Sequence, residues 1–380
     1  MTEKLYYLDP YLFHFTATVL ACRPKGDLWQ VELDRTAFFP EEGGQYADTG
    51  FLNDVRVTDA KEKGGVILHT VDAPLEVGEA VAGKVDAPPR LRKMQNHTGE
   101  HIVSGLFHSL YGLTNVGFHL GHDDVTIDLS GELTREDLCR VEYLANEAIW
   151  KNLPVIARFP APDELAAMDY RSKLELTENV RIVTIPGYDV CACCAPHVAS
   201  TGQVGQIKLL DFARYKGGVR IHMLCGADAL ADYHKRYAAT AAISAKLTAP
   251  QGEVVEAVDR LHAELQEKKQ QIARLQLALA EELVCALPES NRPALFFEDR
   301  LDVPARRALV NGAAEKRPLA ALFAGDDEKG YAFLMGSQVI DLRKFAKDMV
   351  AALGGKGGGS ATMVQGTLLT TQAKIEEYLN

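Results

Sequence analysis

Up to about residue 90 the apolar positions fall in short runs, at 15–21, 29–33, 51–57, 66–71 and 80–85, divided by Gly, Pro and Asp. Runs of this length and spacing predict the strands of a small barrel or sandwich. The segment Pro40-Glu41-Glu42-Gly43-Gly44-Gln45 interrupts them as a loop, and Pro88-Pro89 marks a boundary. Beyond it the period changes. Leu91, Met94, Ile102, Leu106 and Leu110 predict a helix over 91–110. A second amphipathic helix is expected over 135–151, with Thr134 at its N-cap and Asp137 three residues on, close to a capping box. Strands are expected at 125–129, 181–185, 207–212 and 217–224.

From 253 to 283 the pattern becomes a heptad. Val254, Val258, Leu261, Leu265, Ile272, Leu275 and Leu279 recur in steps of four and three, with Lys268 filling the single gap. A lone helix cannot bury such a seam. Two partners fit equally well, a second helix of the same chain in an antiparallel hairpin or a second copy of the chain. The last stretch, 290–380, reads as a small α/β domain with strands at 294–297, 319–323 and 331–335 and a helix at 341–353. Gly354-Gly355-Lys356-Gly357-Gly358-Gly359 follows as a loop. The fold class expected is therefore α+β in four parts: an N-terminal β-barrel domain with a glycine-rich loop (1–90), a central α+β domain (91–240), a long helix or coiled coil (245–288) and a C-terminal α/β domain (289–380).

Composition changes this picture little. The 380 residues are 47% hydrophobic and 24% charged, ordinary for a globular chain. No run reaches the roughly 20 apolar residues of a membrane helix, and the N-terminus lacks the signature of a signal peptide. The seven cysteines are odd in number and thinly spread, which argues against a disulfide framework and for a reducing cytoplasm that leaves thiols free for metal. The net charge of −11 disfavours RNA only mildly, because a local basic patch can still hold phosphate.

The chemistry concentrates in two places. His97-Thr98-Gly99-Glu100-His101 sets two imidazoles four residues apart, on one helix face and one turn from each other. Two core-satisfied histidines would show the same spacing. A zinc protease needs Glu directly after the first His. Here Glu100 directly precedes the second, about 100° around the helix from it, which suits an outer-sphere or surface role. Cys191-Ala192-Cys193-Cys194-Ala195-Pro196-His197 forms the other half, where Pro196 and the small residues favour a loop. Two His, one Cys and a further His give a tetrahedral set of imidazole nitrogens and one sulfur suited to zinc. Spacing leaves open which cysteine binds, and whether the ion is structural or catalytic.

At these residues the chain resembles the alanyl-tRNA editing (AlaX) family, in its long form. Three blocks carry the likeness. They are the glycine-rich segment from Thr36 to Gln45 with Asp48-Thr49-Gly50, the two-His and Cys-to-His set, and Gly354 to Gly359 with Met363 and Gln365. The last is similar to the signature of a C-terminal domain shared by alanyl-tRNA synthetase and DHH phosphoesterases. No aminoacylation core precedes the blocks, so a free-standing editor is implied. Two departures stand out: Gly99-Glu100 between the histidines and Cys194-Ala195 after the metal cysteine, where the synthetase commonly has small residues and two glycines.

The resemblance implies zinc held by His97, His101, Cys193 and His197, and hydrolysis of alanine tRNA wrongly charged with serine or glycine. Zinc can lower the pKa of a bound water toward about 7 or polarise a carbonyl. Gln45 and Asp128 are candidate supporting residues. Thr36, Gly43, Gly44 and Gln45 are candidate substrate-binding residues, Thr36 and Gln45 because selecting serine needs hydrogen bonds to its hydroxyl. Gly354, Gly355, Lys356, Gly357, Gly358 and Gly359 are expected to contact tRNA, and the long helix with the C-terminal domain to support a homodimer. The rival readings are a non-catalytic zinc-containing tRNA-binding module, a phosphoesterase (weakened because the chain has no Asp-His-His triplet) and a hydrolase of free amino-acid esters.

Overall fold

A computed structural model describes residues 1–121, 125–172 and 179–379. The protein is mixed α+β, with eight α-helices among the described residues. It divides into two compact units, Met1–Ala239 and Thr240–Asn380.

In the first unit six antiparallel strands close a barrel in the order His14–Lys25, Leu28–Leu33, Val66–Val71, Val55–Lys63, Gly50–Leu52 and Ala80–Val85. Alternate residues point inward along each strand, so Val31, Leu33, Leu52, Val57, Ile67 and Val81 meet in one core. The apolar run at 51–57 is two strands rather than one. Asn53 takes a left-handed conformation (φ 52°) and its side chain bonds Glu79 and the Ala82 amide, which turns the chain. Asn is among the few residues that tolerate that conformation.

Pro88 and Pro89 lie inside the first turn of the helix Ala87–Tyr111 rather than before it. Proline is tolerated there, since the N–H it lacks would have no helical partner. This helix and the helix Arg135–Lys151 pack on a four-stranded sheet ordered Ile207–Tyr215, Gly218–Cys225, Val125–Leu129 and Asn115–Leu120. Val103, Phe107, Ile127, Val141 and Ile221 share the core between them. The capping box of Thr134 and Asp137 is formed. A three-stranded sheet, Ile156–Arg158, Ile182–Ile185 and Asp189–Ala192, delivers the cysteine-rich segment.

The helix Gly226–Leu247 runs across the division between the units and has no counterpart in the sequence pattern above. In the second unit the heptad helix spans Val254–Cys285. Its C-terminal part packs on the helix Val303–Lys316 through Ala280, Leu283 and Val284, while Val258, Leu261, Leu265, Ile272 and Leu275 stand exposed. A five-stranded sheet follows, ordered Ala294–Phe297, Ala320–Asp326, Gly330–Gly336, Met363–Leu368 and Gly355–Gly359. The glycine run expected as a loop is thus the edge strand of this sheet. A Cβ on Gly355 would lie 2.1 Å from the Thr367 carbonyl oxygen, and one on Gly357 2.6 Å from the Phe333 ring. Glycine lets the strand lie that close.

Candidate metal centre

The helix Ala87–Tyr111 carries His97 and His101 on one face, their ring centroids 5.5 Å apart. Two glycines let that helix sit deep. A Cβ on Gly99 would fall 2.3 Å from Cys225 Sγ, and one on Gly105 2.2 Å from the Tyr188 carbonyl oxygen. The second contact draws in the hairpin that carries Asp189. Beyond that strand, the Cys193 amide donates to the Arg181 carbonyl (3.0 Å), and Arg181 Nη1 donates to the Cys193 (3.0 Å) and Ala195 (2.8 Å) carbonyls. These bonds fold the cysteine-rich bend back over the helix.

The result is one cluster. The ligand atoms of His97, His101, Cys193 and His197 all lie within 4.8 Å of one another. Cys193 Sγ is 3.3 Å from His197 Nε2 and 3.6 Å from His97 Nε2. Each imidazole is held from behind through Nδ1: His97 by Gln45 Oε1 at 3.0 Å, His101 by Asp189 Oδ2 at 2.8 Å, and His197 by Thr98 Oγ1 at 3.0 Å. Bonds at Nδ1 leave Nε2 as the inward nitrogen, the arrangement that metal-binding histidines need. Three imidazoles and one thiolate fit a tetrahedral divalent ion such as zinc.

The thiols differ in kind. Burial alone would raise Cys193. Electrostatic contact with the His97 and His197 imidazoles and hydrogen bonding with His101 and His197 outweigh it and bring the thiol well below its usual range. Burial pushes Cys191 up to about 11, and it pushes Cys194 up as well. Burial disfavours a charged His101, but its bond to Asp189 and the nearby thiols raise it well above the usual histidine range. Burial holds His197 down to about 3.

Asp189 is the residue that sequence reasoning missed. Its side chain is buried, and it accepts two bonds from Arg171 (Nε 2.7 Å, Nη2 2.9 Å) besides the one from His101. The supporting role expected of Asp128 is not formed. Asp128 is gripped by Arg220 through Nε (2.7 Å) and Nη2 (2.9 Å), with the guanidinium over the Tyr215 ring, and it holds no member of the cluster. The signal for Asp189 is strand alternation, which puts Asp189 and Cys191 on one face of the strand leading to Cys193.

The other sequence candidates sort cleanly. Gly43 and Gly44 form a two-residue turn with φ of 63° and 82°, closed by paired backbone bonds between Glu42 and Gln45. That is the glycine-favouring hairpin turn. A Cβ on Gly44 would lie 2.3 Å from the Phe118 carbonyl oxygen, so the turn docks tightly on the strand Asn115–Leu120. Gln45 is buried, and its Nε2 has no partner among the described residues. Thr36 is not beside the cluster. It is sealed in the barrel, where its hydroxyl meets His69 Nε2 at 2.9 Å and accepts from the Phe38 amide at 3.1 Å. Glu100, expected in an outer-sphere or surface role, is buried beside the cluster. It bonds Ser104 and Asn115, and its Oε2 is 4.0 Å from His101 Nε2. Asp48 anchors the glycine-rich segment to the helix by pairing with Arg90 and Lys93, all three fully or nearly fully buried.

A cavity of about 860 Å3 opens on the cluster. Gly43, Gly44, His97, Glu100, His101 and Cys193 are among the residues that line it. Gly354, Gly355, Lys356, Gly357, Gly358 and Gly359 lie in the other unit, where Lys356 and Gly357 border a separate concavity of about 490 Å3 with Arg306 and Arg307.

The barrel and the part of the α+β layer that carries Cys193 and His197 lie in regions matched by aminoacyl-tRNA synthetase families. Residues 180–222 match the family described as "Threonyl and Alanyl tRNA synthetase second additional domain", and residues 15–88 match "tRNA synthetases class II (A)". The alanyl-tRNA editing protein AlaX-L of Pyrococcus horikoshii is 31% identical across 100% of this chain and 97% of its own length. The chain belongs to the alanyl-tRNA editing protein (AlaX) family. Alanine–tRNA ligases of Ignicoccus hospitalis (28% identical over 100% of this chain) and Pyrococcus abyssi (32% over 97%) are also similar, but the match spans only 42% of each ligase.

Proposed function

We propose that this protein hydrolyses the ester between a wrong amino acid, serine or glycine, and alanine tRNA, with zinc held by His97, His101, Cys193 and His197. The observation that carries the reading is the convergence of those donors in a cavity, with every imidazole tied through Nδ1. In such a donor set zinc supplies Lewis acidity to a carbonyl or an attacking water.

The chain's own groups do the rest. Gln45, Asp189 and Thr98 hold the rings in one tautomer and one orientation. Arg181 holds the Cys193 bend in place through two carbonyls. Glu100 offers a buried carboxylate on the cavity wall for the ammonium of the esterified amino acid. One methylene discriminates by only about 1–3 kcal/mol, and a larger pocket still admits alanine, so serine must be chosen through its hydroxyl. Gln45 Nε2 is the donor we assign to that hydroxyl, in place of Thr36.

The remaining parts of the reading are a division of labour. The barrel and central layer hold the ester. The exposed seam of Val254–Cys285 joins two copies, and the edge strand at Gly355–Gly359 with Lys356 contacts tRNA. The reaction is placed in the cytoplasm. The test is to incubate the full chain with Ser-, Gly- and Ala-charged alanine tRNA, with and without chelator. Release of serine or glycine but not alanine, lost with chelator, is expected. Equal release of all three removes the editing role. No release, with zinc removal merely unfolding the protein, points to a non-catalytic tRNA-binding module.

A further inference from the structure

We propose that Phe159, backed by Tyr7, is the seat on which the nucleobase next to the ester stacks. The inference rests on the ester-hydrolase reading. The cavity is far larger than one amino acid needs, and at about 860 Å3 it matches a ligand of several linked parts. An amino acid esterified to a terminal ribose brings a base with it, and proteins commonly hold unpaired bases by stacking them on aromatic rings.

Phe159 and Tyr7 line the same cavity as His97, His101 and Cys193. Phe159 is 51% exposed there. A lone exposed phenylalanine means little, but this ring has an aromatic backing. It meets Tyr7 edge to face, with centroids 5.5 Å apart and planes at 73°. Tyr7 is in turn flanked by two cations, Arg181 at 5.2 Å and Lys4 Nζ at 5.5 Å from its centroid. Arg181 is the same residue that bonds the Cys193 and Ala195 carbonyls. One side chain therefore ties the aromatic pair to the bend that carries the thiolate, so seat and centre are held as one wall. Phe159 contributes a flat face, and its backing by Tyr7 keeps that face from collapsing into the cavity.

The test uses the full chain and amide analogues that cannot be hydrolysed: 3′-deoxy-3′-(L-serylamino)adenosine and the same compound with the base replaced by hydrogen. Their dissociation constants are measured by calorimetry. Wild-type protein should bind the adenosine analogue about 5- to 150-fold more tightly, the size of one stacked base. Phe159→Leu, which keeps apolar packing on Tyr7 but lacks a π face, should bring that ratio to about one without changing binding of the base-free analogue. Phe159→Trp should preserve the ratio. A ratio of one in the wild type, or a ratio unchanged in Phe159→Leu, overturns the seat. The hydrolase reading fails separately: if Ser-charged tRNA is never released while the Phe159-dependent ratio persists, the seat stands and the chemistry falls. If serine is released with no preference for the base, the chemistry stands and the seat falls.

Discussion

Two strands of the first unit carry the same local device and put it to different use. On Val125–Leu129, Asp128 takes two bonds from Arg220. On Asp189–Ala192, Asp189 takes two bonds from Arg171, at the same 2.7 and 2.9 Å. The Asp128 side chain is 16% exposed, and among the described residues its hydrogen bonds go to that arginine. The Asp189 side chain is 2% exposed and also accepts a hydrogen bond from His101 Nδ1. An arginine–carboxylate fork alone is a clamp between strands. Buried and given an imidazole as third partner, the same fork becomes the support of a ligand.

Removing a ligand should have the largest effect, because it takes away what Asp189 supports. Cys193→Ala or His101→Ala is expected to lower release of serine from charged tRNA by about 10²- to 10³-fold, the scale of losing an electrostatic element of catalysis. A tenfold or smaller loss in initial-rate assays would mean that the cluster is not the reacting centre.

Histidines sharpen the contrast. His69 is as buried as His101, but its partners are Thr36 and the Val31 carbonyl rather than a carboxylate, and burial lowers it to about 4. The folded protein leaves His69 neutral down to that pH, whereas the unfolded chain takes up a proton near 6.5. Unfolding therefore binds the extra proton, and stability falls as pH drops from about 6.5 to 4, by about 3 kcal/mol at the bottom of the window. Urea midpoints from pH 7 to 4 should drop less steeply in His69→Gln than in wild type. Parallel profiles would contradict the neutral assignment.

The direct comparison is the smallest effect. Asp189→Asn should weaken metal binding about 10- to 100-fold, the usual size for an outer-sphere partner of a ligand histidine. Asp128→Asn should change it less than about threefold and act only on stability. Competition with a zinc chelator measures both. Equal losses would erase the distinction between the two carboxylates.

Much of this was legible in the chain and some was not, for physical reasons. The four-residue steps from His97 to His101 and from Cys193 to His197 were readable, because ligand spacing is a local property. Which cysteine meets the histidines came from the family resemblance and not from spacing, because Cys191, Cys193 and Cys194 are all half-buried and differ in their position relative to the imidazoles. Asp189 and Thr98 act across 88 and 99 positions of sequence, and no periodicity reports such pairs. Thr36 was misplaced for a related reason: next to a glycine-rich turn it suggests the site, yet strand alternation turns its hydroxyl into the barrel. Gly355–Gly359 reads as a loop by composition, but an edge strand that must pass close to Phe333 and Thr367 uses glycine for its missing side chain. The barrel strands, the capped helix at 135–151 and the heptad helix were visible because hydrophobic period is local.

The account depends on one ion held by one thiolate and three imidazoles. Elemental analysis of the purified full chain tests this most directly. It predicts one zinc per chain, retained when Cys191 or Cys194 is changed to Ala and lost when Cys193 is changed to Ala. A chain without metal, or one whose zinc survives Cys193→Ala unchanged, would contradict it.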